Sequence, residues 1–257
     1  NASCQGTDFS GATLIFANLQ GANLASAQLV NAILTNAQLS SVNLQSAQAK
    51  GAKFYSALMT GSSGEKAVLD EADFRETDGS RSQFTGASCN STAFNRATFN
   101  QADFSKASLV RSQWHEASLI GTSFATANLE QAVFDAATLM SANFTQSNAL
   151  NADFRRANLA EADFTGAQLD WSNCTETVFT GAQFQGASLF NTDLRDANLM
   201  GANFTGADLR EANLEGARLD DVQLEGCKVR KAIFTGATGL SEEQKEWLKE
   251  NHALNVE

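Results

Sequence analysis

Walking the chain in steps of five from Cys4 to Gly239 meets a large apolar side chain almost every time, and the register never slips. Of these 48 positions, 40 hold Leu, Phe, Val, Met or Trp; the exceptions are Cys4, Ala49, Gly64, Gly79, Cys89, Ala149, Cys174 and Gly239. Two residues before each such centre the side chain is small, mostly Ala, with Ser, Thr, Val or Cys as substitutes. The stretch ANFTGADLREANLEGARL, residues 202–219, shows both rules together. A period of five is neither the 3.6 of a helix nor the 2 of a strand. Glycine obeys a rule of its own: 15 of the 18 stand two after a centre, and the other three are centres. Confined in this way, glycine marks a recurring bend with positive φ or close backbone approach.

A small and a large residue separated by one outward residue both point inward, as the two-residue alternation of an extended chain requires. The remaining two positions turn a corner and face water. No single coil built this way can bury its own centres, so stability must come from stacking one coil on the next. The expected architecture is a solenoid.

The pattern A(N/D)LXX, as in ANLQG 17–21, ADFTG 162–166 and ADLRE 207–211, resembles the pentapeptide-repeat proteins, and the resemblance covers residues 1–239. It implies an all-β, right-handed quadrilateral parallel β-helix with four five-residue faces per coil and about twelve coils. Sorting the centres by face then places Phe84, Phe104, Phe124, Phe144, Phe164, Phe184 and Phe204 in one column. The opposite face carries Phe54, Phe74, Phe94, Trp114, Phe134 and Phe154, and the two faces between are mainly Leu. At roughly 4.8 Å per coil the rings of each column would stack. Residues 61–83 are expected to be irregular, because Gly64 and Gly79 stand at centres and charge is concentrated there. A dented coil and an excursion loop both fit.

After Gly239 the rule ends, so 240–257 is read as a C-terminal capping helix and tail. Ser241 and Gln244 have capping-box spacing, and Trp247 and Leu248 are placed to lie over the open end of the last coil. Family members use such helices as caps and as dimer contacts. At the other end Cys4, Phe9, Leu14 and Leu19 would meet water, with Ile15 and Phe16 adding outward apolar surface. That end is expected to pack on a missing N-terminal segment, another domain or a second copy. The chain opens on Asn1 rather than Met, consistent with processing or excision from a longer protein.

Little in the sequence points to chemistry. Cys4, Cys89 and Cys174 recur four coils apart, roughly 20 Å, too far to bridge, and Cys227 fills a small inward slot. His115 and His252 have no second ligand at metal spacing and no nucleophile beside them. No phosphate-binding, dinucleotide or zinc-protease motif occurs. We therefore expect no enzyme, no cofactor and no metal. The net charge of −11 disfavours binding to nucleic acid or an anionic membrane. No apolar run approaches the length of a membrane span. Unpaired cysteines fit the cytoplasm, with export of a processed chain left open.

The expected function is a rigid, non-enzymatic protein-binding or scaffold module whose partner the sequence does not name. Candidate contacts are the outward residues Leu150, Trp171 and Phe190, in successive coils of one face, together with Ile15 and Phe16. Ile120, Met140 and Met200 form a second, sparser column. The family resemblance offers an alternative, a DNA-mimicking binder of bacterial type II topoisomerase (gyrase) that protects against quinolones. Against it, the acid is spread over all faces and Arg75, Arg96, Arg155, Arg156 and Arg195 interleave on one of them. A more remote alternative is an ice-binding face of Thr85, Ser105, Thr145, Thr165 and Thr205, interrupted by Ala125 and Gln185.

Overall fold

A computed structural model describes residues 2–257. Each five-residue unit contributes one extended residue, immediately before the centre, that forms a parallel bridge to the residue twenty further on, from Ser3↔Asn23 to Arg218↔Thr238. The ladder is made of repeated donations: the Cys4 N–H donates to Asn23 O at 2.8 Å and the Asn23 N–H to Ala2 O at 2.9 Å. Four bridges per twenty-residue circuit give a β-helix solenoid whose strands are too short to form sheets of ordinary length.

The corner between units is a turn closed by the next small residue, as when the Ala12 N–H donates to Phe9 O at 2.9 Å. Its third residue has positive φ in every unit, from Gly6 at 66° to Gly236 at 65°, the signature of a type II turn. Glycine occupies only 15 of these corners. Elsewhere residues such as Ser41 at 56° and Trp171 at 62° adopt the left-handed conformation, which costs roughly 1–2 kcal/mol for a residue with a Cβ. From Gly6 to Gly216 each corner N–H is compensated by a carbonyl of the following coil, as when Trp171 N–H donates to Phe190 O at 3.0 Å.

Inside, the column from Phe84 to Phe204 stacks at ring-centroid spacings between 4.6 Å and 5.7 Å. The facing column from Phe54 to Phe154 stacks through Trp114 at spacings between 3.9 Å and 5.8 Å, and rings of the two columns meet edge to face, as Phe144 and Phe154 do at 5.8 Å and 89°. These geometries suit the aromatic quadrupole, each adding about 0.5–1.5 kcal/mol beyond area burial. Buried threonine hydroxyls in small slots donate to the coil below, whereas the Ser112 hydroxyl donates to Leu109 O within its own coil and the Ser147 hydroxyl has no partner among the described residues. Thr77 donates to Phe54 O at 2.7 Å, Thr177 to Phe154 O at 2.7 Å, and the Cys227 thiol to Phe204 O at 2.8 Å. All four cysteines are free. Burial pushes the Cys174 and Cys227 thiols up to about 12, so neither is a nucleophile near neutral pH.

The expected irregularity at 61–83 is not present. The same bridges run through it, including Asn43↔Ser63, Ser63↔Gln83 and Asp78↔Thr98. The reason is compensation of volume between coils. A Cβ on Gly64 would lie 2.5 Å from Phe84 Cδ1, and one on Gly79 would lie 2.6 Å from Phe99 Cδ1. Each ring leans into the space left by the glycine one coil before it. Ser62 and Ser82 pair through their hydroxyls at 3.1 Å, and Ser82 donates to Met59 O at 2.9 Å.

At the C-terminal end a helix α1, Glu242–Glu250, starts from Ser241 with a reciprocal capping box. Gln244 N–H donates to Ser241 Oγ at 3.2 Å and Ser241 N–H to Gln244 Oε1 at 2.9 Å. Gln244 has a second role, donating through Nε2 to Val222 O at 3.0 Å. Leu248 is fully buried, and Trp247 and Leu240 pack half-buried against the core. The residues beyond α1 re-enter the β-helix: Lys231 N–H donates to His252 O at 2.8 Å, and Leu254 bridges Ile233. The offset of 21 instead of 20 shows the chain stepping back onto the stack after the helix. At the opposite end Cys4, Phe9, Leu14 and Leu19 are only partly covered.

Candidate protein-contact surface

Rigid corners decide which outward side chains can meet. Leu150 and Phe190 stand one residue after a centre on the same face, two coils apart, and Trp171 projects from the corner of the coil between them. Trp171 and Phe190 touch edge to face, with ring centroids 5.7 Å apart and planes at 73°. Trp171 is 57% exposed, whereas Leu150 and Phe190 are half-buried. Below the rings Asp170 accepts from the Ser188 hydroxyl and, at 2.9 Å, from the Phe190 N–H. That carboxylate fixes the backbone carrying the aromatic pair.

Arg210, one coil beyond, places its guanidinium carbon 5.8 Å from the Phe190 ring centroid. It is oriented by Asp208, which accepts from Arg210 Nε at 2.8 Å and from Nη2 at 2.6 Å. Partial burial pushes the Asp208 carboxyl up. The Arg210 guanidinium and the Arg210 backbone N–H outweigh this and hold it below the usual carboxylate range.

Ile15 and Phe16 are 45% and 72% exposed, but they lie in the first coil. Nearly eight coils separate them from Trp171, roughly 37 Å at about 4.8 Å per coil. The structure therefore makes two separate apolar surfaces. Phe16 and Trp171 are the two large apolar residues placed at positive-φ corners, at 57° and 62°. Ile120 and Met140 form a smaller exposed pair on consecutive coils, with Met200 half-buried further along.

The charged surface is built from pairs. Asp73–Arg75, Asp153–Arg155 and Asp193–Arg195 repeat the Asp208–Arg210 fork within single units. Asp135, the one buried charged side chain among the described residues, accepts from Arg156 Nη2 at 2.6 Å and lies 3.1 Å from His115 Nδ1. Its carboxyl is raised by burial and, more strongly, lowered by Arg156 and His115, so it lies below the ordinary value. The spacings of metal ligands and nucleophiles around His115 in the sequence do not show this cluster. The offsets of 20 and 21 residues joining its members are the signal that could have found it. On the Thr face, the Thr85 hydroxyl donates to Asp103 at 2.9 Å and that of Thr205 to Asn203 at 2.7 Å. No group of three potential metal-ligating side chains occurs among the described residues.

A profile of pentapeptide repeats matches residues 1–27, 22–61, 65–101, 99–135, 137–173, 172–196 and 197–236. The chain belongs to the pentapeptide repeat family. Among solved members, a trypsin-treated form of QnrB1, a plasmid-mediated fluoroquinolone resistance protein, is 22% identical. Its match covers 65% of this chain and 91% of that one, with a TM-score of 0.56, a likeness that shows the shared β-helix fold. HetL, a pentapeptide repeat protein involved in heterocyst differentiation regulation from Nostoc sp. strain PCC 7120, is 27% identical over 82% of this chain and 90% of its own, with a TM-score of 0.44. A pentapeptide repeat protein from the Arabidopsis thaliana thylakoid lumen is 31% identical over 44% of this chain and 76% of its own, with a TM-score of 0.31. No curated protein sequence matches. Among the described residues no helix is long and apolar enough to cross a membrane.

Proposed function

We propose that this pentapeptide repeat protein is a non-enzymatic, rigid binding module that engages another protein through the Leu150–Trp171–Phe190 surface. In this reading the β-helix winds right-handed through about twelve coils of four faces, with 240–257 serving as the cap. The observation that carries the proposal is Trp171: a bulky aromatic held at a φ of 62° and left 57% exposed. A residue that adds strain, contributes little to the core and packs on a half-buried ring at the surface is explained by contact with a partner. A rigid scaffold lowers the ordering cost of association, since the side-chain columns are already in place. The N-terminal coil with Ile15 and Phe16 is the second contact region, where a second copy or a further segment would cover the open end. Action in the cytoplasm is part of the same reading.

The test is a comparison of the native chain with Trp171→Ser/Phe190→Ser, both confirmed to melt alike, for recovery of partners from native lysate. Loss of a specific partner in the double variant supports the proposal; identical recovery refutes it. The gyrase-binding alternative draws on the fold shared with QnrB1, but outward carboxylates at Asp73, Asp153, Asp193 and Asp208 are each forked by an arginine and resemble exposed phosphates poorly. A supercoiling assay separates the readings: only a gyrase binder would inhibit the reaction or relieve quinolone inhibition.

A further inference from the structure

The face that carries Trp171 changes character toward the C-terminal end, and this bears on what the partner looks like. The stack order is given by the bridges Ser188↔Asp208 and Asp208↔Lys228, so Phe190, Arg210 and Arg230 follow one another at the same position of consecutive coils. Around the last two lie four cations, Arg210, Lys228, Arg230 and Lys231, and three acids, Asp208, Glu211 and Asp170, the last already accepting from the Ser188 hydroxyl and the Phe190 N–H. The acids are already engaged: Asp208 by Arg210 at 2.6 Å and Glu211 by Lys231 at 3.0 Å. Lys228 reaches Asp208 only at 3.9 Å, and Arg230 makes no ion pair among the described residues. On a chain of net charge −11, this face therefore combines an apolar cluster with an adjoining surplus of positive charge.

Resting on the reading of Trp171 as a contact residue, we propose that this surface docks an acidic segment of a partner protein whose apolar anchor sits on Trp171 and Phe190. The anchor packs on the exposed indole and the Phe190 ring. Carboxylates further along the same segment meet Arg230 and Lys228. Two coils separate Phe190 from Arg230, about 10 Å, which an extended segment crosses in about three residues and a helix in about seven. Such charges on the rim of an apolar anchor raise the association rate and select against basic competitors. They also make the affinity fall as salt is added.

The experiment is a selection of random dodecapeptides on the immobilised full-length chain, followed by titration of the enriched peptides. The arms are the native chain, Trp171→Ser/Phe190→Ser and Lys228→Glu/Arg230→Glu, each checked for an unchanged melting temperature. Expected are peptides of net negative charge with one or two large apolar residues, binding at least tenfold more weakly to each double variant and more weakly in high salt. Enriched peptides that are neutral or basic, or that ignore the charge reversal while still needing Trp171 and Phe190, overturn this inference and leave the contact surface standing. Peptides that ignore both double variants, or no enrichment at all, overturn both. Self-association lost in Trp171→Ser/Phe190→Ser, seen by sedimentation without peptide binding, assigns the face to a second copy and likewise overturns the acidic-segment proposal.

Discussion

Replacing Gly64 by alanine is expected to destabilise this protein, although Gly→Ala at an unstrained position ordinarily stabilises by about 0.4–1 kcal/mol through the unfolded chain. Gly64 is buried at a centre where the repeat calls for a leucine, and unlike the corner glycines it does not have positive φ. Its smallness serves Phe84. The added methyl would stand 2.5 Å from Phe84 Cδ1, whereas carbon atoms settle at about 3.5–4.0 Å. The ring would have to retreat by about 1 Å. It is held by stacking on Phe104 at 5.2 Å and by edge contacts with Phe74 at 6.4 Å and Phe99 at 6.0 Å. Overpacking of this kind costs about 1–3 kcal/mol, so after the unfolded-state gain the net loss is about 1–2 kcal/mol. Thermal unfolding should shift down by about 2–8 °C for a chain of this size. In a Phe84→Leu background the clash disappears and Gly64→Ala should become neutral or stabilising, a coupling of about 1–3 kcal/mol in a double-mutant cycle. Additive effects, or an alanine that stabilises the native background, would show that Phe84 does not fill the space left at Gly64.

Three further outcomes follow from the same geometry. Ala136 holds a φ of 56° with an apolar Cβ, so Ala136→Gly should stabilise by about 0.5–1 kcal/mol net, the relief of the left-handed strain less the added freedom of the unfolded chain; chemical denaturation measures it. Asp73, Asp193 and Asp208 have folded values held below the ordinary 3.8. Their contribution is therefore complete above that value and is lost as pH falls below it through the lowered folded values. Urea unfolding between pH 5 and pH 2 should show that loss, and Asp208→Asn should make the slope shallower. Leu248 is fully buried under the end of the stack, and Leu248→Ala should cost about 2–5 kcal/mol, with the last coils losing hydrogen-exchange protection before the middle of the rod.

The five-residue period determined, without any coordinates, which residues turn inward, where the corners fall and that coils must stack, because those depend on interactions within a few residues of chain. The capping box at Ser241 and Gln244 was legible for the same reason. Only the tertiary structure decided how one coil answers another. Phe84 and Phe99 fill space vacated at Gly64 and Gly79, which turns an apparent irregularity into a regular coil. Asp135 gathers His115 and Arg156 from neighbouring coils, and Leu254 returns to Ile233 at an offset of 21 that no repeat foretells. For the candidate contact surface, the sequence placed Leu150, Trp171 and Phe190 on nearby coils. The contact between the rings, their bridge to Arg210 and the separation from Ile15 and Phe16 depend on how far each corner projects. A period is a local rule, whereas side chains twenty residues apart meet only after the winding has brought their coils together.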